Sequence, residues 1–192
     1  MTTSRNVSRR LRTDLAWVQS MGGPLIVIPS SVVDQWGGGT EDGMILGDTD
    51  VPDDYDRACG VEGLAGVIPV GEEGLGLVLA DEPATTCYLN EHNVFLRWLA
   101  AGSDTELLEA AKTSLRDPAT GWEDCGIWET DGTAVLMDSA VAGVDLTVPY
   151  PDHGGLPEQA RIPLSAGRWS IRAAHTASDF ARVGLVQLLP SS

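Results

Sequence analysis

Apolar and polar positions alternate in short runs along most of the chain, and the breaks between runs are rich in glycine and proline. Leu25-Ile26-Val27-Ile28-Pro29 is a continuous apolar run entered from Gly22-Gly23-Pro24, which predicts a buried strand leaving a tight turn. Ser30-Ser31 can cap a brief helix through Val32, Val33 and Trp36, and Gly37-Gly38-Gly39 ends it. A loop-like stretch then runs to about Gly66, with one helical turn expected at Asp53–Cys59, where aspartates suit a helix N-terminus. Val67–Val70 and Leu75–Ala80 read as a hairpin across Gly71-Glu72-Glu73-Gly74, with Leu75, Leu77 and Leu79 on one face. Thr85–Leu89 and Val94–Leu99 are further strands, although the second pattern would also tolerate helix.

One helix is clearly marked. Ser103-Asp104-Thr105-Glu106 has the spacing of a capping box, and Leu107, Leu108, Ala111 and Leu115 then form one apolar stripe ending near Asp117-Pro118. Beyond it the pattern is almost all strand: Cys125–Glu129, Thr133–Met137, Leu146–Tyr150, Arg161–Leu164, Arg168–Ala174 and Gly184–Leu189. Trp169, Ile171 and Ala173 alternate inward, and Leu185 joins them in the expected core. The fold class is α+β, mostly β, with two β-rich halves and one clear helix between them. Residues 1–13 are expected to be a flexible basic arm, 14–117 the first half and 118–192 the second.

The halves suggest an internal duplication. Gly23–Val33 lies over Gly132–Ala142 without a gap, Ile68-Pro69-Val70 over Ile162-Pro163-Leu164, and Leu75, Leu77 and Leu79 over Trp169, Ile171 and Ala173. Chance similarity between hairpins is the alternative, and strand order decides between them.

Charge sharpens the picture. The 192 residues carry 12 basic and 28 acidic side chains, a net charge of −16. Arg5, Arg9, Arg10 and Arg12 all precede the first acid, Asp14, and between Asp34 and Glu82 thirteen acids face a single base, Arg57. Such a chain repels phosphate backbones, which argues against nucleic acid as a partner. No run approaches the ~18 apolar residues of a membrane span, and the arginine-bearing start lacks the apolar segment of a secretory signal. A cytoplasmic protein with reduced thiols is expected. Cys59, Cys87 and Cys125 are odd in number without CxxC spacing, so neither a zinc site nor a disulfide framework is indicated.

Catalytic patterns are scarce. His92, His153 and His175 stand alone in sequence, and no phosphate-binding loop, dinucleotide fingerprint or nucleophile elbow occurs. Asp48–Asp56 has the look of a calcium loop, but Asp53 occupies the sharp-turn glycine position and Cys59 that of the bidentate glutamate. Neither a metal nor a cofactor is expected. Asp81-Glu82 is a carboxylate pair of the kind used in acid–base chemistry, so a small hydrolase or a small-molecule binding module using Asp81 and Glu82 is the alternative function. Among the six tryptophans, Trp17 and Trp36 flank the glycine-rich acidic segment as candidate contact anchors, with core packing the competing role.

Four motifs in order resemble the immunity protein 21 family of bacterial polymorphic toxin systems: Trp17 to Leu25, Trp36-Gly37-Gly38, Asp54 to Cys59, and Asp81 to Thr86. The resemblance implies a mostly-β protein that protects its producer against a co-encoded toxin, and it brings no catalytic residues. Neutralisation would then proceed by stoichiometric binding of a cognate, basic protein toxin, steered by the negative surface and held by aromatic anchors. Trp36, Asp53, Asp54, Tyr55 and Asp56 are the expected docking residues. The competing account is that Tyr55, Arg57 and Cys59 fold the segment onto the body and make the motif structural.

Overall fold

Strand β1 (Leu25–Pro29) is buried at every position because both of its faces are covered. Leu25 and Val27 point into one apolar cluster, while Ile26 and Ile28 point into another on the opposite side. The computed structural model describes residues 15–39, 52–152 and 154–191. The basic arm, Asp48, Asp50 and His153 lie outside them.

β2 (Gly66–Val70) and β3 (Gly74–Leu79) form the expected hairpin. β3 pairs with β1, β1 pairs with β7 (Ala134–Asp138), and β8 (Gln159–Ile162) closes the row, giving an antiparallel sheet ordered β2-β3-β1-β7-β8. The second sheet is β4 (Thr86–Leu89), β5 (Val94–Ala101), β10 (Ala181–Ser191), β9 (Gly167–Ala177) and β6 (Glu123–Thr130), in that order. The chain is therefore mostly β, in two five-stranded antiparallel sheets.

The sheets pack face to face over a shared core. Leu25, Val27, Leu77, Leu79 and Leu136 from the first meet Phe95, Trp128, Trp169, Ile171 and Val186 from the second. Helix α2 (Asp104–Arg116) covers the outer face of the second sheet with Leu107 and Ala111 against Cys87, Leu96, Val183 and Leu185. Its Ser103 cap accepts from the Glu106 N–H, while the Glu106 side chain reaches back to the Gly102 N–H rather than to the cap itself. The outer face of the first sheet is covered by a loop layer. Trp36, Ala58 of the short helix α1 (Asp54–Cys59) and Leu146 pack there on Ile26, Ile28 and Met137. Among the described residues no helix is long and apolar enough to cross a membrane.

Two expectations are corrected. Leu146–Tyr150 is not a strand: Gly143–Thr147 is a 3₁₀ turn that presses Leu146 onto the first sheet. The alternation there reports one buried leucine in a covering loop. The duplication also fails, because the strand orders differ. β3 lies beside β1 in the first sheet, whereas its supposed copy β9 lies in the second sheet, away from β7. Both sheets draw strands from either side of residue 117. Hairpins with alternating leucines and valines look alike wherever two packed sheets impose the same period.

Candidate functional site

Parts of the four motif segments meet at one end of the first sheet, whereas Trp17, the other candidate anchor, packs edge-on against Trp98 on the outer face of the second. Met21-Gly22-Gly23-Pro24 leads into β1, the Trp36–Gly39 loop and α1 lie over the sheet's outer face, and the Ala80–Ala84 turn leaves β3 at the same end. Asp138–Ala142 follows β7 and supplies the floor.

Trp36 is a floor residue, not an anchor for a partner. Its side chain is 1% exposed and its indole N–H donates to the Ser139 carbonyl at 2.9 Å, so it is a buried strut with no surface to offer. A large amphipathic ring beside three glycines fits either role by sequence, and only the packing tells them apart. Those glycines let the loop lie flat. Gly38 has φ of +65°, and a Cβ added to it would fall 2.6 Å from the Ala140 carbonyl oxygen and 2.7 Å from the Ala142 nitrogen.

The acidic motif is knitted to this loop. Asp53 caps α1 by accepting from the Asp56 N–H at 2.8 Å, and the Asp56 carboxylate accepts from the Asp53 N–H at 3.2 Å, a reciprocal capping box. Asp54 accepts from the Gly37 N–H at 2.7 Å and is ion-paired with Arg57, whose guanidinium also donates to the Pro69 carbonyl. The Tyr55 N–H donates to Gly38 O, and its ring lies against Gly23, where an added Cβ would sit 2.5 Å from the ring edge. The Tyr55 phenol is pushed up to about 12, first by its hydrogen bond with Cys59, then by burial and by the negative Asp138 and Asp56. Asp53, Asp54, Tyr55 and Asp56 thus have structural work, while each stays at least partly exposed. Bracing and docking are compatible for such side chains.

Asp81 and Glu82 form an exposed turn, and Asp81 adopts a left-handed φ of 68°. Arg97 holds the turn in place. It falls on the inner register of β5 two residues after Phe95, is buried, and donates to the carbonyls of Ala80 and Glu82. Burial pulls its pKa down to about 10, against the opposing pull of Asp81 and Glu82. Gly184 pairs with Arg97 on one side and His175 on the other, which brings the His175 Nε2 to 3.5 Å from Asp81. Sequence reasoning missed both partners. An arginine in a strand pattern reads as an outward residue, and His175 reaches Asp81 only through strand pairing.

Two open grooves adjoin at this end. One, of about 380 Å³, is lined by residues including Gly23, Tyr55, Cys59, Asp81 and Pro83. The other, of about 670 Å³, is lined by residues including Met21, Pro83, Asp138, Tyr150, Leu156 and Glu158. They share Gly22 and Pro83.

The class this defines is a mostly-β protein of two packed sheets with a loop-built acidic end. The chain belongs to the immunity protein 21 family, whose sequence model matches residues 16–181. Membership supports a role as an immunity protein and implies a toxin as partner. No curated protein and no solved structure matches the chain.

Proposed function

We propose that this protein neutralises a cognate toxin in the producer's cytoplasm by stoichiometric binding, without turnover. The toxin is basic. The observation that carries the reading is a loop-built end with two adjoining open grooves, lined by residues including Tyr55, Asp81, Asp138 and Glu158, whose linings include no lysine, arginine or histidine. Asp53 and Asp56 lie on α1 with Tyr55, and Glu82 follows Asp81 in its turn. A surface of one sign speeds encounter with a partner of the other, and partly buried aromatic and apolar groups slow release. The test is co-expression with the toxin encoded beside the gene. Protection should track the molar ratio of the two proteins, and Asp53→Asn with Asp56→Asn should slow association without lowering the melting temperature. Protection by a small substoichiometric amount would sink the binding mechanism.

A second reading, a hydrolase or small-molecule module using Asp81 and Glu82, is favoured only by the 3.5 Å approach of His175 to Asp81. His175→Ala and Asp81→Asn distinguish the two. Turnover needs this pair, whereas binding should survive the histidine change.

A further inference from the structure

We infer that the groove between Met21, Tyr150 and Leu156 receives a toxin segment in which an apolar side chain sits beside a lysine or arginine. The inference rests on the binding function proposed above and specifies where and what the surface binds.

The apolar half of the argument is exposure. Met21 is 75% exposed and Leu156 54%, in a protein that buries most of its large hydrophobic side chains. Both line the same groove, and the Tyr150 hydroxyl lies 3.8 Å from the Met21 sulfur. The loop that supplies Tyr150 and Leu156 also exposes Val144 and Val148. A flexible thioether beside a tyrosine is a surface that adapts to an inserted side chain.

The cationic half is charge complementarity. Asp138 and Glu158 line the groove, and neither forms a salt bridge among the described residues, whereas Asp54, Glu109 and Glu129 are each paired with a base. Asp138 accepts from the Met21 and Ala140 N–H groups, and Glu158 accepts from the Gln19 N–H, so both carboxylates are fixed in place. Their field reaches across the depression. The Tyr150 phenol is pushed up by burial and then by Asp138 and Glu158, and Asp138 acts on Tyr55 in the adjoining groove as well. A cation entering here meets Glu158 at the surface and the field of Asp138, which is 4% exposed with both oxygens already accepting, and an adjacent apolar side chain excludes the water that would screen them.

One other groove, about 590 Å³ between α2 and the β9–β10 hairpin, is also acidic and base-free, and it carries Phe180, 76% exposed. There Glu109 is already paired with Lys112, Glu106 holds the Gly102 N–H, and threonines and serines make up much of the wall. It serves as the comparison face.

The probe is the toxin domain encoded beside the gene, inactivated at its own active site, with binding followed by interferometry. Leu156→Ser and Met21→Ser should each weaken binding by about tenfold or more, chiefly through faster release, as expected for anchors near an interface centre. Glu158→Gln keeps the acceptor for Gln19 and should slow association while flattening its salt dependence. Phe180→Ser should change affinity less than about twofold, as for a residue outside the contact. A photo-crosslinking residue at position 156 should capture the toxin, a readout that does not depend on how well the serine variants fold. Wild-type-like affinity in both serine variants, or capture from position 180 and not from 156, would overturn the inference and leave the proposed function standing. Failure of the wild-type protein to bind the domain would overturn the proposed function itself.

Discussion

Trp36→Phe separates a buried strut from a docking anchor. The indole is 1% exposed, packs with Ala58 and Leu146 on the outer face of the first sheet, and donates to the Ser139 carbonyl at 2.9 Å. Phenylalanine keeps most of the apolar contact but deletes that donor, leaving a buried acceptor without its partner at a cost of ~1–3 kcal/mol. The smaller ring also leaves a void of two carbons and a nitrogen, worth about 1 kcal/mol in lost burial and packing. The total is about 3 kcal/mol. For a chain of this size that corresponds to a fall in melting temperature of about 6–12 °C. Urea melts at constant m-value measure the loss directly, and toxin affinity measured well below the melting temperature should stay within about twofold of wild type, as expected for a residue outside the contact. The opposite pattern, an unchanged melting temperature with affinity reduced about tenfold or more, is the behaviour of an exposed hot spot and would refute the placement of Trp36.

Three further outcomes follow from the same geometry. Asp53→Asn preserves the cap of α1 and should be neutral in stability, whereas Asp53→Ala should lose about 1 kcal/mol in chemical denaturation. Gly38→Ala forces a side chain into a left-handed position against the Ala140 and Ala142 backbone, so a loss of about 2–4 kcal/mol should appear as a large drop in thermal midpoint. Burial pushes the Cys87 thiol up to about 12 from an ordinary 9.0, so between those values the unfolded chain releases a proton that the folded one keeps. The stability tied to that thiol is intact below pH 9.0 and declines by about 1.4 kcal/mol per pH unit above it; Cys87→Ala should flatten this alkaline limb of the urea-melt profile.

Strands were legible wherever one face or both had to be apolar. The run Leu25–Pro29, the leucine alternation of β3, the inward Trp169, Ile171 and Ala173, and the Ser103 cap all appear in the structure as the pattern implies. Leu146–Tyr150 misled because a covering loop that buries one leucine imitates a strand over five residues. The apparent repeat misled because sequence similarity between hairpins carries no information about which sheet a strand joins. At the candidate site the motifs were visible but their employment was only partly so. The cap formed by Asp53 and Asp56 is local and was marked as a helix N-terminus in the sequence, whereas the brace from Asp54 to the Gly37 N–H depends on where that loop lies in space. The Met21–Tyr150–Leu156 groove was invisible to a linear reading, since its walls come from segments far apart in the chain.

Titration of the toxin's activity against this protein tests the binding account most directly. Increasing amounts are added to a fixed quantity of the active toxin domain, and residual activity is followed over time at low and high salt. Binding predicts a straight fall to zero at a fixed molar ratio, a plateau that does not drift with time, and an association rate that drops as salt is raised. Continuing loss of toxin activity at a small fraction of that ratio, growing with incubation, would show turnover and contradict it.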